Sequence, residues 1–167
     1  MPLQAPLLER RGPPAGTGAA RAAFAMGVLY ALVSAYWGAG GTWLLDTIGG
    51  TLERAGRAQS ADLLAVVWII VVLKLVAAAV GLVATRPRGR RRRRPSRIIA
   101  WVAAVVLVLY GGVLTGVGLL VQAGVITASA GADQMALRWH AYVWDPWFLI
   151  WGVLLSTALW RSRPGRR

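Results

Sequence analysis

Cysteine is absent from all 167 residues. Its absence excludes disulfide frameworks, thiolate metal sites, Cys nucleophiles and lipoprotein anchors. Lysine is almost absent: of 19 basic residues only Lys74 is not Arg. Acidic residues number six and histidine one, which leaves a formal net charge of +13. No Gly-rich phosphate loop with its Lys, no His-Glu-x-x-His helix and no nucleophile elbow occurs. What is plentiful is apolar. Hydrophobic residues make up 57% against 15% charged, and the mean hydropathy is +0.56. That balance disfavours both disorder and an average soluble surface. The length suits one domain. A chain so apolar and so basic is expected to segregate, with apolar blocks in lipid and charge confined to connectors.

Residues 1–21 hold Pro2, Pro6, Pro13 and Pro14 with three Gly, and predict a flexible tail. From Ala22 to Leu45 no charge appears. A helix over 22–45 rises about 1.5 Å per residue and spans roughly 36 Å, enough to cross a hydrocarbon core of about 30 Å. Val33-Ser34-Ala35 resembles a signal-peptide cleavage site, but the apolar run continues past it, so a retained span is expected. Further spans are predicted at about 63–84, 98–125 and 142–160, inside one domain covering 22–161, with a basic tail at 162–167. The runs lack the alternation of strands, and helices satisfy the backbone within lipid. The expected architecture is all-α: an integral membrane four-helix bundle with short loops.

Arginine placement sets the threading. The N-terminal tail, the 85–97 connector and the C-terminal tail hold fifteen of the nineteen basic residues. The positive-inside rule then puts both termini in the cytoplasm of a plasma-membrane protein. Trp43, Trp139, Trp144 and Trp147 fall near the outer interface, and Trp101 and Trp160 near the inner one. Small residues suggest packing seams: Gly27, Ala31, Ala35 and Ala39 on the first helix, Ala77 and Gly81 on the second, Gly112 and Gly116 on the third. In so Ala- and Gly-rich a chain, chance yields some of these spacings.

Lys74 is the most informative residue. It stands near the middle of the second span, where an ionised side chain costs about 2.5–3.5 kcal/mol on insertion scales. One reading makes it a charge relay or counter-ion in a polar cavity. A second has it neutralised or bonded to Ser34, Tyr110 or Thr115 at comparable depth, and a third has it snorkelling outward. No acidic residue shares its depth, which weakens the relay. At the outer rim, Tyr36, Trp37 and Asp46 end the first helix, while Arg138, His140 and Asp145 open the fourth. The carboxylates with His140 could serve acid–base chemistry or a cation. The favoured expectation is plainer: an aromatic belt, an exposed His140, and Asp145 as helix N-cap before Pro146. Asp46 and Asp145 could also pair with Arg138. The run Arg90, Arg91, Arg92, Arg93 and Arg94 is expected to contact anionic lipid headgroups, at about 1 kcal/mol per residue; nucleic acid is a poor match for a connector pinned to a bilayer. No metal or cofactor is expected.

Tyr36-Trp37-x-x-Gly40-Gly41-x-Trp43 together with Trp144-Asp145-Pro146-Trp147-Phe148 resembles a family of small four-helix membrane proteins of unknown function found mainly in actinobacteria. The resemblance covers about residues 22–161 and implies a bacterial plasma-membrane protein with no assigned activity. The leading functional expectation is a non-enzymatic scaffold or partner-binding protein, with a homo-oligomer or a membrane partner left open. A small transporter or channel using Lys74 and the outer acidic residues is the alternative. An enzyme at the outer rim is the third, and it requires Asp46, His140 and Asp145 to converge.

Overall fold

The structure, a computed structural model, describes residues 16–85 and 90–163, and of 90–94 only the backbone. The expected headgroup contacts of Arg90 to Arg94, and most of both expected tails, therefore lie outside the described residues. The helices are α1 (Thr17–Gly38), α2 (Gly50–Arg57), α3 (Ala61–Thr85), α4 (Arg90–Gln122), α5 (Gln134–Trp139) and α6 (Asp145–Arg161). A 3-10 turn at Leu45–Thr47 precedes α2, and a π-helical turn at His140–Trp144 joins α5 to α6. Four helical stretches are long and apolar enough to cross a membrane: Thr17–Gly38, Ala61–Thr85, Pro95–Gln122 and Gln134–Arg161. No strand occurs among the described residues.

The four long stretches run alternately up and down. Gly27 packs on Ala78, Ser34 meets Lys74 and Gly38 meets Trp68, so α1 and α3 are antiparallel. Gly118 faces Ala141, Gly111 faces Leu149 and Gly152 faces Val108, which makes α4 and α6 antiparallel too. The start of α1, the end of α3, the start of α4 and the end of α6 consequently lie at one end, the arginine end. Arg97, expected in a connector, is instead helical: its guanidinium donates to the Leu159 carbonyl at 2.8 Å and to Ser162 Oγ at 3.1 Å. A cation on the last carbonyls of α6 caps that helix and suits its dipole.

The core is built of small residues. Ala78, Ala84, Ala100 and Ala104 surround Trp151, Leu155 and Leu159, while Val72, Leu73, Val102, Val106 and Val113 point outward. Small side chains inside and large apolar ones outside invert the soluble pattern and suit packing in lipid.

Several boundaries and seams differ from expectation. Residues 17–21 are helical rather than tail, and α1 stops at Gly38 instead of 45. Gly40 takes φ +91°, the Gly40 N–H reaches the Trp37 carbonyl and the Gly41 N–H reaches that of Tyr36 at 2.9 Å. That is a left-handed glycine stop, and hydropathy does not sense it. Helix α4 spans 90–122 rather than 98–125, and helix runs from 134 where 142 was expected. On α1 the buried stripe is Ala23, Gly27, Ala31, Ser34 and Gly38; Ala39 is exposed and Ala35 only half-buried. On α4 the close approaches fall at Gly111 and Gly118, whereas a Cβ at Gly116 would meet nothing within 4 Å.

Candidate functional site

Tyr30 and Ser34 lie one helical turn apart on the buried face of α1, and the Ser34 hydroxyl donates back to the Tyr30 carbonyl at 3.1 Å. That leaves the Ser34 oxygen free to accept. Lys74, on the facing side of α3, donates to it from Nζ at 2.7 Å. The ammonium also stands 3.6 Å from the centroid of the Tyr30 ring and 5.7 Å from that of Phe148, a cation–π arrangement. Of the other two residues expected at this depth, neither bonds Lys74. Tyr110 packs edge-on against Phe148 at 5.2 Å, and Thr115 Oγ1 is buried with no hydrogen-bond partner among the described residues.

A second polar group sits nearer the end remote from the arginines. His140 Nδ1 lies 3.2 Å from Asp145 Oδ1, and His140 Nε2 lies 3.2 Å from the Ile48 carbonyl. A carboxylate and a backbone carbonyl only accept, so with Asp145 ionised the protonated imidazole is the form that donates to both. Residues five apart are about 140° apart around an α-helix. The π turn between them, with its wider i→i+5 pitch, returns His140 and Asp145 to one side. Thr47 completes the latch: its hydroxyl donates to the Leu44 carbonyl at 2.6 Å and accepts from the Trp144 indole at 3.1 Å. The 3-10 turn is thereby fastened to the π turn between α5 and α6.

The expected rim site thus divides. Asp145 is not a helix cap: it is 5% exposed and faces His140, while the cap is Asp133, whose Oδ1 accepts from Met135 N–H and Ala136 N–H at the start of α5. His140 is half-buried rather than exposed, and Trp144 is a core side chain stacked on Tyr30 and Trp139, not a belt residue. Trp37 donates to the Trp43 carbonyl at 2.9 Å and meets Trp144 edge-on at 5.5 Å. Tyr36 is half-exposed; its ring covers Gly41 and its hydroxyl accepts from Trp43 N–H at 3.3 Å. Asp46 and Arg138 are both exposed, and neither forms an ion pair among the described residues. Asp46 therefore does not join His140 and Asp145, and the three-residue constellation required of a rim enzyme is not assembled.

Lys74 and the His140–Asp145 pair open onto one cavity of about 450 Å³. Its α3 wall is Leu63, Leu64, Val67, Ile70 and Ala77; Leu107 and Tyr110 of α4 face it; Leu45, Ile48 and Leu52 cover its rim end. A few polar groups in a mostly apolar cavity of this size describe a small-molecule site. Its geometry suits binding and orientation. Among the described residues no cluster of three or more metal-ligating side chains forms.

Tyr30, Thr47, Ile48 and Phe148 belong to the site and were missed in the sequence. Tyr30 had a usable signal, because it lies four residues before Ser34 and shares its helical face. Ile48 had none, since it contributes a backbone carbonyl.

No curated protein and no solved structure matches the chain. The family model described as "Protein of unknown function (DUF3995)" matches residues 27–155, from the Gly27 contact through Leu155, taking in both halves of the cavity, and the chain belongs to that family.

Proposed function

We propose that this is a multi-pass membrane protein of the bacterial plasma membrane, both termini cytoplasmic, whose bundle binds a small apolar or amphipathic molecule without transforming it. The observation that carries the binding role is the cavity, which places one ammonium and one His–carboxylate pair in an apolar wall. Four long apolar stretches and the outward-facing valines and leucines support the membrane setting, and the arginine end supports the cytoplasmic side. A scaffold role needs no such cavity, so binding takes precedence over it.

The test is thermal melting of the full chain in phosphatidylcholine nanodiscs against a panel of membrane-soluble compounds: alcohols, acids, quinones and terpenoids. Ligands that bind the folded state raise Tm. At least one class should raise it in the native chain and leave an Ala77→Trp variant, whose new side chain fills the cavity, unchanged. Equal responses of both proteins to every class would remove the binding reading.

One observation favours a transporter as the second reading: Lys74, in mid-helix, shares its cavity with rim residues. Because the chain has no native cysteine, Lys74→Cys can be labelled in intact cells with a membrane-impermeant thiol reagent. Labelling would mean that water reaches position 74 from outside; its absence would leave ligand entry from the lipid.

A further inference from the structure

The charges in the cavity do not balance. Asp145 has its partner in His140, Nδ1 to Oδ1 at 3.2 Å, and one proton shared by that pair leaves it neutral. Lys74 has no carboxylate within ion-pair reach among the described residues; its contacts are one hydroxyl, at 2.7 Å, and aromatic ring faces. An ammonium carries three donors, and Ser34 accepts from one of them. A cation removed from water and left without an anion is costly, and an incoming anion with hydrogen-bonding oxygens offsets that cost.

Above Lys74 the α3 wall is apolar through Ile70 and Val67 to Leu63. Eleven residues at 1.5 Å each make it roughly 16 Å long, enough for an extended chain rather than a short organic acid. One ammonium without a guanidinium fork matches a monoanion better than a phosphate dianion.

We infer that the cavity binds a single-chain amphiphile with a carboxylate head, the head on Lys74 beside Ser34 and the chain along Ile70, Val67 and Leu63. This rests on the ligand-binding reading above and names its ligand class. Monoanionic amphiphiles come from two sources, free long-chain acids and phosphodiester lipids. A cavity of about 450 Å³ enclosed on several sides by helices favours one chain over two, hence the free acid.

The experiment measures equilibrium binding of radiolabelled palmitate and hexadecanol to the full chain in phosphatidylcholine nanodiscs, corrected for empty discs. The native chain should prefer palmitate by about tenfold or more, the scale of one charge-assisted hydrogen bond. Lys74→Met should lose that preference while still binding hexadecanol, which shows its cavity intact; Lys74→Arg should keep it. Equal binding of both probes to the native chain, which needs no variant, overturns the carboxylate assignment and leaves the cavity reading standing. Palmitate displaced by phosphatidylglycerol in the discs, but not by further phosphatidylcholine, overturns it in favour of a lipid headgroup. No binding of either probe above empty discs overturns this inference; the separate melting panel with Ala77→Trp then decides the broader reading.

Discussion

At the scale of single residues, space decides more than polarity. A Cβ built on Gly27 would lie 2.5 Å from the Trp151 ring and 2.8 Å from the Ala78 methyl. Trp151 is among the most deeply buried side chains and Ala78 is backed by the core, so neither can give way. Gly27→Val should therefore lower stability by about 1–3 kcal/mol through overpacking, read as a clear fall of Tm in detergent. Ala35 is half-buried and belongs to the stripe that spacing by four suggests. Ala35→Leu should be milder than Gly27→Val; the reverse order would place the α1 seam where the sequence suggested it. The spacing rule erred by one position because a helix turns 3.6 residues, not four, so a stripe of fours drifts off the contact line. On α4 the line of close approach runs through Gly111 and Gly118, seven residues or about two turns apart, and the expected Gly112 and Gly116 lie off it.

At the scale of elements, the least legible piece is the rim. Apolar runs mark helices, but the chain between α1 and α3 also contains a left-handed glycine stop, a 3-10 turn and an eight-residue helix. Their existence depends on backbone conformation and on partners from the other side of the bundle. The Trp144 indole reaches Thr47, ninety-seven residues away, and His140 reaches Ile48. Thr47→Val keeps the shape and removes the acceptor of a buried indole N–H, so it should cost about 1–3 kcal/mol. Hydrogen exchange should quicken across residues 44–52 and stay unchanged at the arginine end. Unchanged exchange at 44–52 would show that the turn is held by Leu45 packing alone. The π turn is equally a tertiary feature: nothing in His140-Ala141-Tyr142-Val143-Trp144 announces it, and it exists where His140 has both Asp145 and Ile48 to face.

At the scale of the whole molecule, the separation of charge is the guide. The start of α1, the end of α3, the start of α4 and the end of α6, with Arg21, Arg97, Arg161 and Arg163, share one end, and the exposed 123–133 connection lies at the other. With no cysteine to remove, single replacements test the threading directly. Ser129→Cys should label from outside in intact cells, and Arg163→Cys only after permeabilisation. Labelling in the opposite order would invert the protein, and with it the face from which the cavity is reached. The positive-inside rule rests on cytoplasmic retention of arginine during insertion. The bundle's internal geometry is the same in either orientation.

The sequence by itself determined the all-helical class, the four long apolar stretches and the peculiarity of Lys74, because hydropathy and charge are local and additive along the chain. Only the tertiary structure decided what Lys74 meets. Its bond to Ser34 spans forty residues, its ring contacts come from two other helices, and the cavity depends on how far α3 and α4 stand apart beside it. It likewise separated Asp46 from His140 and Asp145, which the sequence had grouped as one rim. Distances between helices follow from which small residues let backbones close together, and that choice is made jointly by all the facing surfaces.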